Sequence, residues 1–405
     1  MPRSSHRLSV ILVLMLIGRT WAEESRHEPV ILRDRIGEVD IEALLPAGVT
    51  TYRGVIWHAM NARFRADDRW AALAQELGFI RVVTSIDRRA TNRPTKLRNA
   101  LDQALATWAE AHGHPELPYL PLTGSGHSAG GMVLGAMLRT PQRTLTAAID
   151  CSWIADPTQH PEEAANIPLL FTLGAIPDGF NMLPGIDAHF VPARAAGRPW
   201  GLGLQHGCAH NFGNAATLHI QWIQSVARLR LPSEVDPQPG PIPLNDIPLE
   251  SGWLGDRDSI HAQNATIAAW DDYDLDRTTA IWFPDRATAM VWRAWQTKDT
   301  PVQLHMSREG WNLTPFAPRR SWSMPAADGQ DVTLAIRADD TVSLSSVRWY
   351  AGDQILAERQ EAPWEATWVA QSGCHLIWAE WTLTDGQIGT TNPATVFVPT
   401  QRRQD

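Results

Sequence analysis

Apolar residues along positions 23–232 recur with two different periods, which indicates strands that alternate with helices. Runs of mostly apolar residues at 54–57 and 79–83, the second interrupted by Arg81, are typical of strands buried on both faces of a parallel sheet. Between such runs, as in 97–108, apolar residues return at every third or fourth position and predict one buried helix face. The alternation predicts an α/β domain in which helices flank a mostly parallel sheet. The same patterns predict strands at 120–125, 146–151, 167–173 and 200–205 and helices at 70–77 and 215–229.

The alternation of strand and helix periods ends after residue 232. Prolines crowd the segment 233–248 and predict an extended linker. Residues 249–322 are expected to form a small accessory segment in which Asp285 caps a short helix. In 323–400 the apolar residues alternate with period two and turn residues separate the runs. This last pattern predicts a small antiparallel β-sandwich.

The N-terminal residues have the features of a secretory signal peptide. Arg3 and Arg7 precede an apolar run at 8–17, and small residues stand three and one positions before the predicted cleavage after Ala22. The run is too short to span a bilayer, and no other segment qualifies. We therefore expect residues 1–22 to be removed and the protein to be secreted or periplasmic.

The net charge and the number of cysteines limit the ligands and covalent bonds that the sequence predicts. The formal net charge is −9, so nucleic-acid binding is not expected. The chain has three cysteines, an odd number for an exported protein. Cys151 and Cys208 either pair or remain as small buried thiols, and no cysteine stands at a metal-binding spacing. We expect neither a metal nor an organic cofactor, and the oligomeric state is left open.

The segment 126–130 reads Gly-His-Ser-Ala-Gly and is followed by Gly131. A serine with glycines two positions before and after it, set between a strand and a helix, is the nucleophile elbow. The turn strains the serine backbone, and a side chain at either glycine would collide with the neighbouring strand or helix. The motif predicts that Ser128 is a catalytic nucleophile.

Residues 23–230 resemble the α/β-hydrolase superfamily, and they are most similar to secreted esterases of the polyhydroxybutyrate-depolymerase and feruloyl-esterase kind. The segments 126–131 and 207–210 carry this resemblance. It implies an exported serine hydrolase that cleaves carboxylic esters through an acyl-enzyme, with polymeric polyesters or plant-polysaccharide esters among the candidate substrates. Two other interpretations stay open: a prolyl-type serine peptidase, and a carbohydrate-binding or adhesion protein whose hydrolase domain is inactive.

In this superfamily the acid and then the histidine follow the nucleophile along the chain. The base is expected after the last strand, where His210 directly before the closing helix is favoured over His206. The acid is expected after the preceding strand, where Asp178 is favoured. Asp150 and Asp187 are the alternatives. A carboxylate at such a position fixes the imidazole tautomer and stabilises the imidazolium.

The oxyanion hole requires two backbone N–H donors. Ala129 is expected to supply one, because it follows the nucleophile at the start of a helix. The second is expected after the early strand, from Ala59 or Met60. Many α/β-hydrolases have His-Gly there, whereas this chain has His58-Ala59, and His58 is expected to be structural.

Residues 331–399 resemble the bacterial immunoglobulin-like modules that are appended to secreted enzymes. The hairpin at 347–352 and the turn at 384–386 carry this resemblance. Twelve of the nineteen tryptophans follow residue 240. They would either form an exposed platform for a polymeric substrate or fill small β cores. Among these twelve tryptophans are Trp292, Trp295, Trp364, Trp368, Trp378 and Trp381.

Overall fold

The computed structural model describes residues 29–60, 62–154, 162–233, 240–260, 264–297, 300–314 and 322–398. The predicted signal peptide at 1–22 and the centre of the predicted linker lie outside the described residues. No helix in these ranges is long and apolar enough to cross a bilayer.

The elements of the described ranges are as follows. The strands are β1 (Val30–Ile36), β2 (Val39–Leu45), β3 (Gly54–Ala59), β4 (Phe79–Ser85), β5 (Leu122–His127), β6 (Thr144–Asp150), β7 (Leu169–Gly174), β8 (Trp200–Gln205), β9 (Trp253–Gly255), β10 (Ile267–Ala269), β11 (Ile281–Phe283), β12 (Val302–Arg308), β13 (Trp311–Leu313), β14 (Ser323–Pro325), β15 (Asp331–Ala338), β16 (Leu344–Ala351), β17 (Gln354–Arg359), β18 (Glu365–Val369), β19 (Gly373–Leu383), β20 (Ile388–Thr390) and β21 (Ala394–Val398). The α-helices are α1 (Asp68–Leu77), α2 (Arg93–His112), α3 (Ala129–Leu134), α4 (Pro177–Phe180), α5 (Leu183–Ala195), α6 (Ala215–Arg230) and α7 (Arg286–Trp295). Short 3₁₀ segments lie at Ala62–Ala66, Leu117–Tyr119, Gly135–Arg139, Pro141–Arg143, Glu162–Asn166 and Leu249–Ser251.

An eight-stranded sheet organises the first half of the chain, with the strand order β1-β2-β4-β3-β5-β6-β7-β8. Strands β3 to β8 are parallel to one another, and every residue of β3, β7 and β8 is buried. The predicted α/β class is confirmed. The antiparallel hairpin of β1 and β2 was not predicted, because neither strand is a continuous apolar run: β1 is mostly exposed at the sheet edge, and β2 buries only alternate residues.

Helix α6 is buried around almost its whole circumference. It packs on β6 on one side and on α7, α1 and β19 on the others. The hydrolase half, the accessory segment and the sandwich therefore meet on this helix. Tyr350, Leu376, Trp378 and Phe397 of the sandwich belong to the same apolar cluster as the main sheet.

The accessory segment covers the edge strand β8. Its own sheet has the order β10-β9-β11, and Asp285 caps α7 as predicted by accepting the N–H of Thr288 at 2.8 Å. The indole N–H of Trp292 donates to the carbonyl of Leu202 at 2.8 Å, and the N–H of Leu204 donates to the side chain of Gln296 at 3.1 Å. These two side chains form hydrogen bonds with backbone groups of β8 that a ninth strand would otherwise have bonded. They thereby cover a sheet edge that would otherwise be exposed.

The sandwich begins earlier in the chain than the sequence indicates. Its two sheets have the orders β13-β12-β15-β18 and β14-β21-β19-β16-β17, and β20 pairs with β19. Strand β12, expected in the accessory segment, pairs with β15, and Val302, Leu304 and Met306 fill the sandwich core. The boundary expected at residue 323 therefore lies near residue 300. Strands β13 and β14 are only three residues long, which is too short for the period-two pattern to indicate a sandwich there.

The tryptophan platform is not present in the form considered above. Trp292, Trp295, Trp378 and Trp381 are at most 2 % exposed, and Trp368 is 9 % exposed. Trp364 is partly buried against the sandwich core. These rings fill the cores of small sheets, which large aromatics do well because each buries a large apolar area.

We expect Trp292→Ala to lower the free energy of unfolding by about 3–5 kcal/mol, because it leaves a cavity and removes the bond to Leu202. The matched control is Trp311→Ala, where the ring is 44 % exposed and contacts Arg308. That change should cost about 1 kcal/mol or less. Urea unfolding of both variants is the measurement. Equal losses would show that α7 does not belong to the core of the main sheet.

Candidate active site

The turn between β5 and α3 holds Ser128 in a strained conformation. Its backbone has φ 54° and ψ −122°, and its N–H donates to the carbonyl of Asp150 at 2.8 Å. A Cβ at Gly126 would lie 2.7 Å from the backbone carbon of Gly130. A Cβ at Gly130 would collide with the carbonyl oxygen of Ala59. Only glycine fits at these two positions, so the motif has the local geometry that the sequence predicts.

The two sides of the expected oxyanion hole lie against this turn. Ala129 is the first residue of α3, where the N–H groups have no carbonyl partner within the helix. On the other side, the N–H of Met60 donates to the carbonyl of Thr84 at 2.8 Å. That bond occupies the Met60 donor. Ala59 therefore remains as the candidate for the second donor.

The loop 206–214 between β8 and α6, which we call the histidine loop, lies over the serine turn. The ring of His210 contacts the ring of His127 edge-on, with centroids 5.1 Å apart. His127 directly precedes the serine, so the contact brings His210 to the elbow. His206 directly follows β8, and both His206 and His210 are partly buried. The contact with His127 distinguishes His210 from His206.

The loop after β7 docks on the histidine loop. The N–H of Ile176 donates to the carbonyl of Cys208 at 2.9 Å. A Cβ at Gly179 would lie 2.7 Å from the carbonyl oxygen of Ala209, so the two backbones touch. Asp178 precedes this glycine and lies in the first turn of α4, where it is exposed. Among the described residues its carboxylate has no hydrogen bond or ion pair, although the loops that carry it and His210 are in contact.

The alternative acids both have partners. The carboxylate of Asp187 binds the guanidinium of Arg257 at 2.5 Å, which ties α5 to the accessory segment. Asp150 is buried at the end of β6, where burial raises the pKa of its carboxyl group. Its oxygens accept hydrogen bonds from His127 Nδ1 at 2.6 Å and from Thr172 Oγ1 at 2.8 Å. The Asp–His pair at the elbow in this structure is therefore His127–Asp150.

A buried hydrogen-bonded chain runs beneath the serine turn. Thr172 donates its hydroxyl proton to Asp150, so it accepts from His219 Nε2 at 3.0 Å. His219 Nδ1 then accepts from the hydroxyl of Ser125 at 2.8 Å. Burial lowers the pKa of His219 to about 3, which agrees with a neutral ring that donates once and accepts once. Sequence reasoning missed this chain because its members come from four separate elements.

His58 is part of the core. It is fully buried against Phe64 and Trp70, and its Nδ1–H donates to the carbonyl of Ser125 at 3.1 Å. Burial lowers its pKa to about 3, so the ring is neutral. This environment agrees with the structural role expected for His58.

Cys151, Cys208 and Cys374 are buried thiols, and none of them forms a disulfide. The ligand atoms of His127, Asp150 and Cys151 lie within 4.8 Å of one another. In this cluster His127 already donates to Asp150, and burial raises the pKa of the Cys151 thiol. A metal would need a thiolate there, and the raised pKa opposes its formation.

No protein-family model matches the chain, and no curated protein matches it. Solved structures are similar to parts of it. The α/β hydrolase MGS-M1 from a Medee basin deep-sea metagenome library is 13 % identical over 50 % of this chain and 100 % of its own, with a TM-score of 0.38. An S-formylglutathione hydrolase from Agrobacterium tumefaciens is 13 % identical over 49 % of this chain and 94 % of its own, with a TM-score of 0.36.

The fibronectin(III)-like modules of Clostridium thermocellum CbhA are 23 % identical over 20 % of this chain and 89 % of that chain, with a TM-score of 0.18. These scores are low, so the fold assignment rests on the molecule's own strand order and on the turn at Ser128. An antiparallel hairpin precedes the run of parallel strands, and the strained serine follows the fifth strand. Residues 29–231, where described, have the α/β-hydrolase fold, and Ser128 lies in the strained turn that follows β5.

Proposed function

We propose that this protein hydrolyses carboxylic esters through an acyl-enzyme on Ser128. The observation that carries the proposal is the backbone of Ser128 at φ 54°, held between two glycines that cannot bear a Cβ, with His210 against the same turn. Strained residues of this kind persist where the surrounding structure holds them, and they cluster at active sites. A solvated turn serine would need neither the strain nor the close backbone packing.

The reaction uses four groups of the chain. As the Oγ of Ser128 attacks the ester carbonyl, His210 takes its proton. The N–H of Ala129 stabilises the oxyanion, and Ala59 is the proposed second donor. The tetrahedral intermediate expels the alcohol, which receives the proton from His210. Water then attacks the acyl-enzyme with His210 again as base, which releases the carboxylic acid and restores the serine.

Asp178 is the proposed acid. Its carboxylate has no other partner among the described residues, and its loop touches the histidine loop through Gly179 and Ala209. Asp187 is bound to Arg257, and Asp150 to His127 and Thr172. In this assignment Asp178 accepts the N–H of the His210 ring nitrogen that does not face Ser128, and this bond fixes the tautomer.

We also propose that the protein is exported, because residues 1–22 have the pattern of a signal peptide. The substrate is proposed only as a carboxylic ester. Most of the tryptophans that would have supported a polymer-binding platform are buried. Parallel assays on p-nitrophenyl esters of increasing chain length and on peptide anilides separate an esterase from a prolyl-type peptidase.

Ser128→Ala should fold normally and lose ester hydrolysis by about 10³-fold or more, because nucleophile and base act as a unit. A fluorophosphonate should label the wild type at Ser128. Ser125→Ala is the matched control: it removes a buried bond to His219, so it should lower stability by about 1 kcal/mol while labelling persists. Mass spectrometry of labelled peptides is the measurement. Retained turnover in folded Ser128→Ala would exclude the mechanism.

His210→Ala should approach the serine variant in severity, whereas His206→Ala should keep most of the activity. The wild-type kcat/KM should fall as the pH is lowered, because only the neutral imidazole can accept the serine proton. Steady-state kinetics across pH test both statements. If the two variants exchanged their effects, His206 would be the base.

Asp178→Asn should lower kcat strongly with little change in Tm, because the side chain is exposed and the amide favours the wrong imidazole tautomer. Asp150→Asn should instead lower stability by about 1–3 kcal/mol, since it breaks a buried bond to His127 or Thr172. Kinetics and thermal unfolding of the two variants form the comparison. A severe kinetic loss confined to Asp150→Asn would move the acid to the end of β6.

A further inference from the structure

Asn214, the last residue of the histidine loop, is fully buried. Its backbone joins the loop to two neighbouring elements. The N–H of Asn214 donates to the side chain of Gln205 at the end of β8 at 3.2 Å. Its carbonyl accepts the indole N–H of Trp295 in α7 at 3.0 Å. The residue is thereby held between the main sheet and the accessory segment.

The side chain of Asn214 binds the sandwich. Its Nδ2 donates to the carbonyl of Pro393 at 3.2 Å, and its Oδ1 accepts from the backbone N–H of Trp322 at 3.4 Å. Oδ1 also accepts the hydroxyl of Thr217 at 2.7 Å, and that hydroxyl lies 3.1 Å from Thr395 Oγ1 in β21. A buried amide left without these partners would be costly, so the contacts define the position of the residue.

An asparagine at the start of a helix usually accepts a first-turn backbone N–H with its side chain. Asn214 stands at this position before α6, and its side chain makes no such cap bond. The side-chain oxygen, which would normally cap the helix backbone, instead accepts the backbone N–H of Trp322 in the sandwich and the hydroxyl of Thr217.

The rest of the histidine loop is tightly constrained. Gly207 and Gly213 both have positive φ, and a Cβ at Gly213 would lie 2.7 Å from the Sγ of Cys208. The carbonyl of Cys208 is bound by Ile176 on the acid side. Between these two anchors the N–H of Asn211 donates to the carbonyl of Ala209 at 2.9 Å, so His210 lies in a bonded turn whose far end is held by Asn214.

We propose that the sandwich is part of the catalytic unit, because through Asn214 it fixes the loop that carries His210. Asn214 is thus a positioning residue. This inference rests on the proposed function only for the role of His210. It differs from the sequence-based expectation of an appended module, and it predicts that single changes at the sandwich face of Asn214 alter turnover.

The test uses three single variants of the full chain. Asn214→Ala removes the side-chain bonds to the sandwich and keeps the backbone bonds. Thr395→Val removes the partner that Thr217 has in β21. Thr390→Val is the matched control, because Thr390 Oγ1 forms a buried 2.7 Å bond to Thr297, which follows α7, and neither of these side chains is hydrogen-bonded to the histidine loop among the described residues.

Each variant is measured for kcat and KM on a p-nitrophenyl ester, for the rate of fluorophosphonate labelling, for Tm, and for amide hydrogen exchange of residues 206–213. Asn214→Ala should lower kcat at least about tenfold with little change in KM, because small displacements of catalytic groups are costly. Labelling should slow in parallel and loop exchange should accelerate. Thr395→Val should show smaller changes in the same direction, and Thr390→Val should lower Tm with kcat and loop exchange unchanged.

Wild-type kcat and loop exchange in Asn214→Ala would overturn the inference. Equal kcat losses in Thr395→Val and Thr390→Val would also overturn it, since they would indicate general destabilisation. If Asn214→Ala does not fold, the comparison of those two threonine variants decides. A wild type that neither hydrolyses esters nor reacts with the fluorophosphonate contradicts the proposed function alone, because hydrogen exchange still tests the anchoring of the loop.

Discussion

The close backbone packing at Ser128 is the constraint on which the site depends. A non-glycine residue at positive φ costs about 1–3 kcal/mol and persists only where its surroundings hold it. Here the N–H of Ser128 is bound to Asp150, and the flanking glycines allow α3 to press against β5 and the end of β3. The same contact sets the distance between Ala59 and the start of α3, so one turn positions both the proposed nucleophile and the proposed oxyanion donors.

The need to cover the edge strand β8 explains why the hydrolase half, the accessory segment and the sandwich pack together. A parallel sheet that ends at β8 leaves backbone groups unpaired, and Trp292 and Gln296 of the accessory segment bind them. Helix α7 in turn packs on α6, and α6 receives β19 of the sandwich. Each segment therefore buries apolar surface that the previous one would expose. The sandwich reaches the histidine loop as a consequence of this packing.

Burial divides the histidines near the site into two groups. His58 and His219 are fully buried, and burial lowers the pKa of each to about 3. His58 Nδ1 is bonded to a carbonyl, and both ring nitrogens of His219 are bonded to hydroxyl groups. His127 and His210 are partly exposed and meet at the serine turn. The buried hydrogen-bonded chain from Ser125 to Asp150 supports the first of these two rings from below. Because low-dielectric surroundings penalise an unpaired polar group, such a chain is stable only when every member is bonded.

The sequence by itself determined what depends on neighbours along the chain. Buried parallel strands are continuous apolar runs, so β3, β4 and β8 were predicted close to their observed bounds. The turn at Ser128 was predicted because its steric requirement falls on glycines two positions away. Only the tertiary structure decided the pairing of His127 with Asp150, the membership of β12 in the sandwich, and the contacts of Asn214. Each of these joins residues far apart in the chain, and a side chain's partner across such a separation depends on how whole elements pack, which no local pattern encodes.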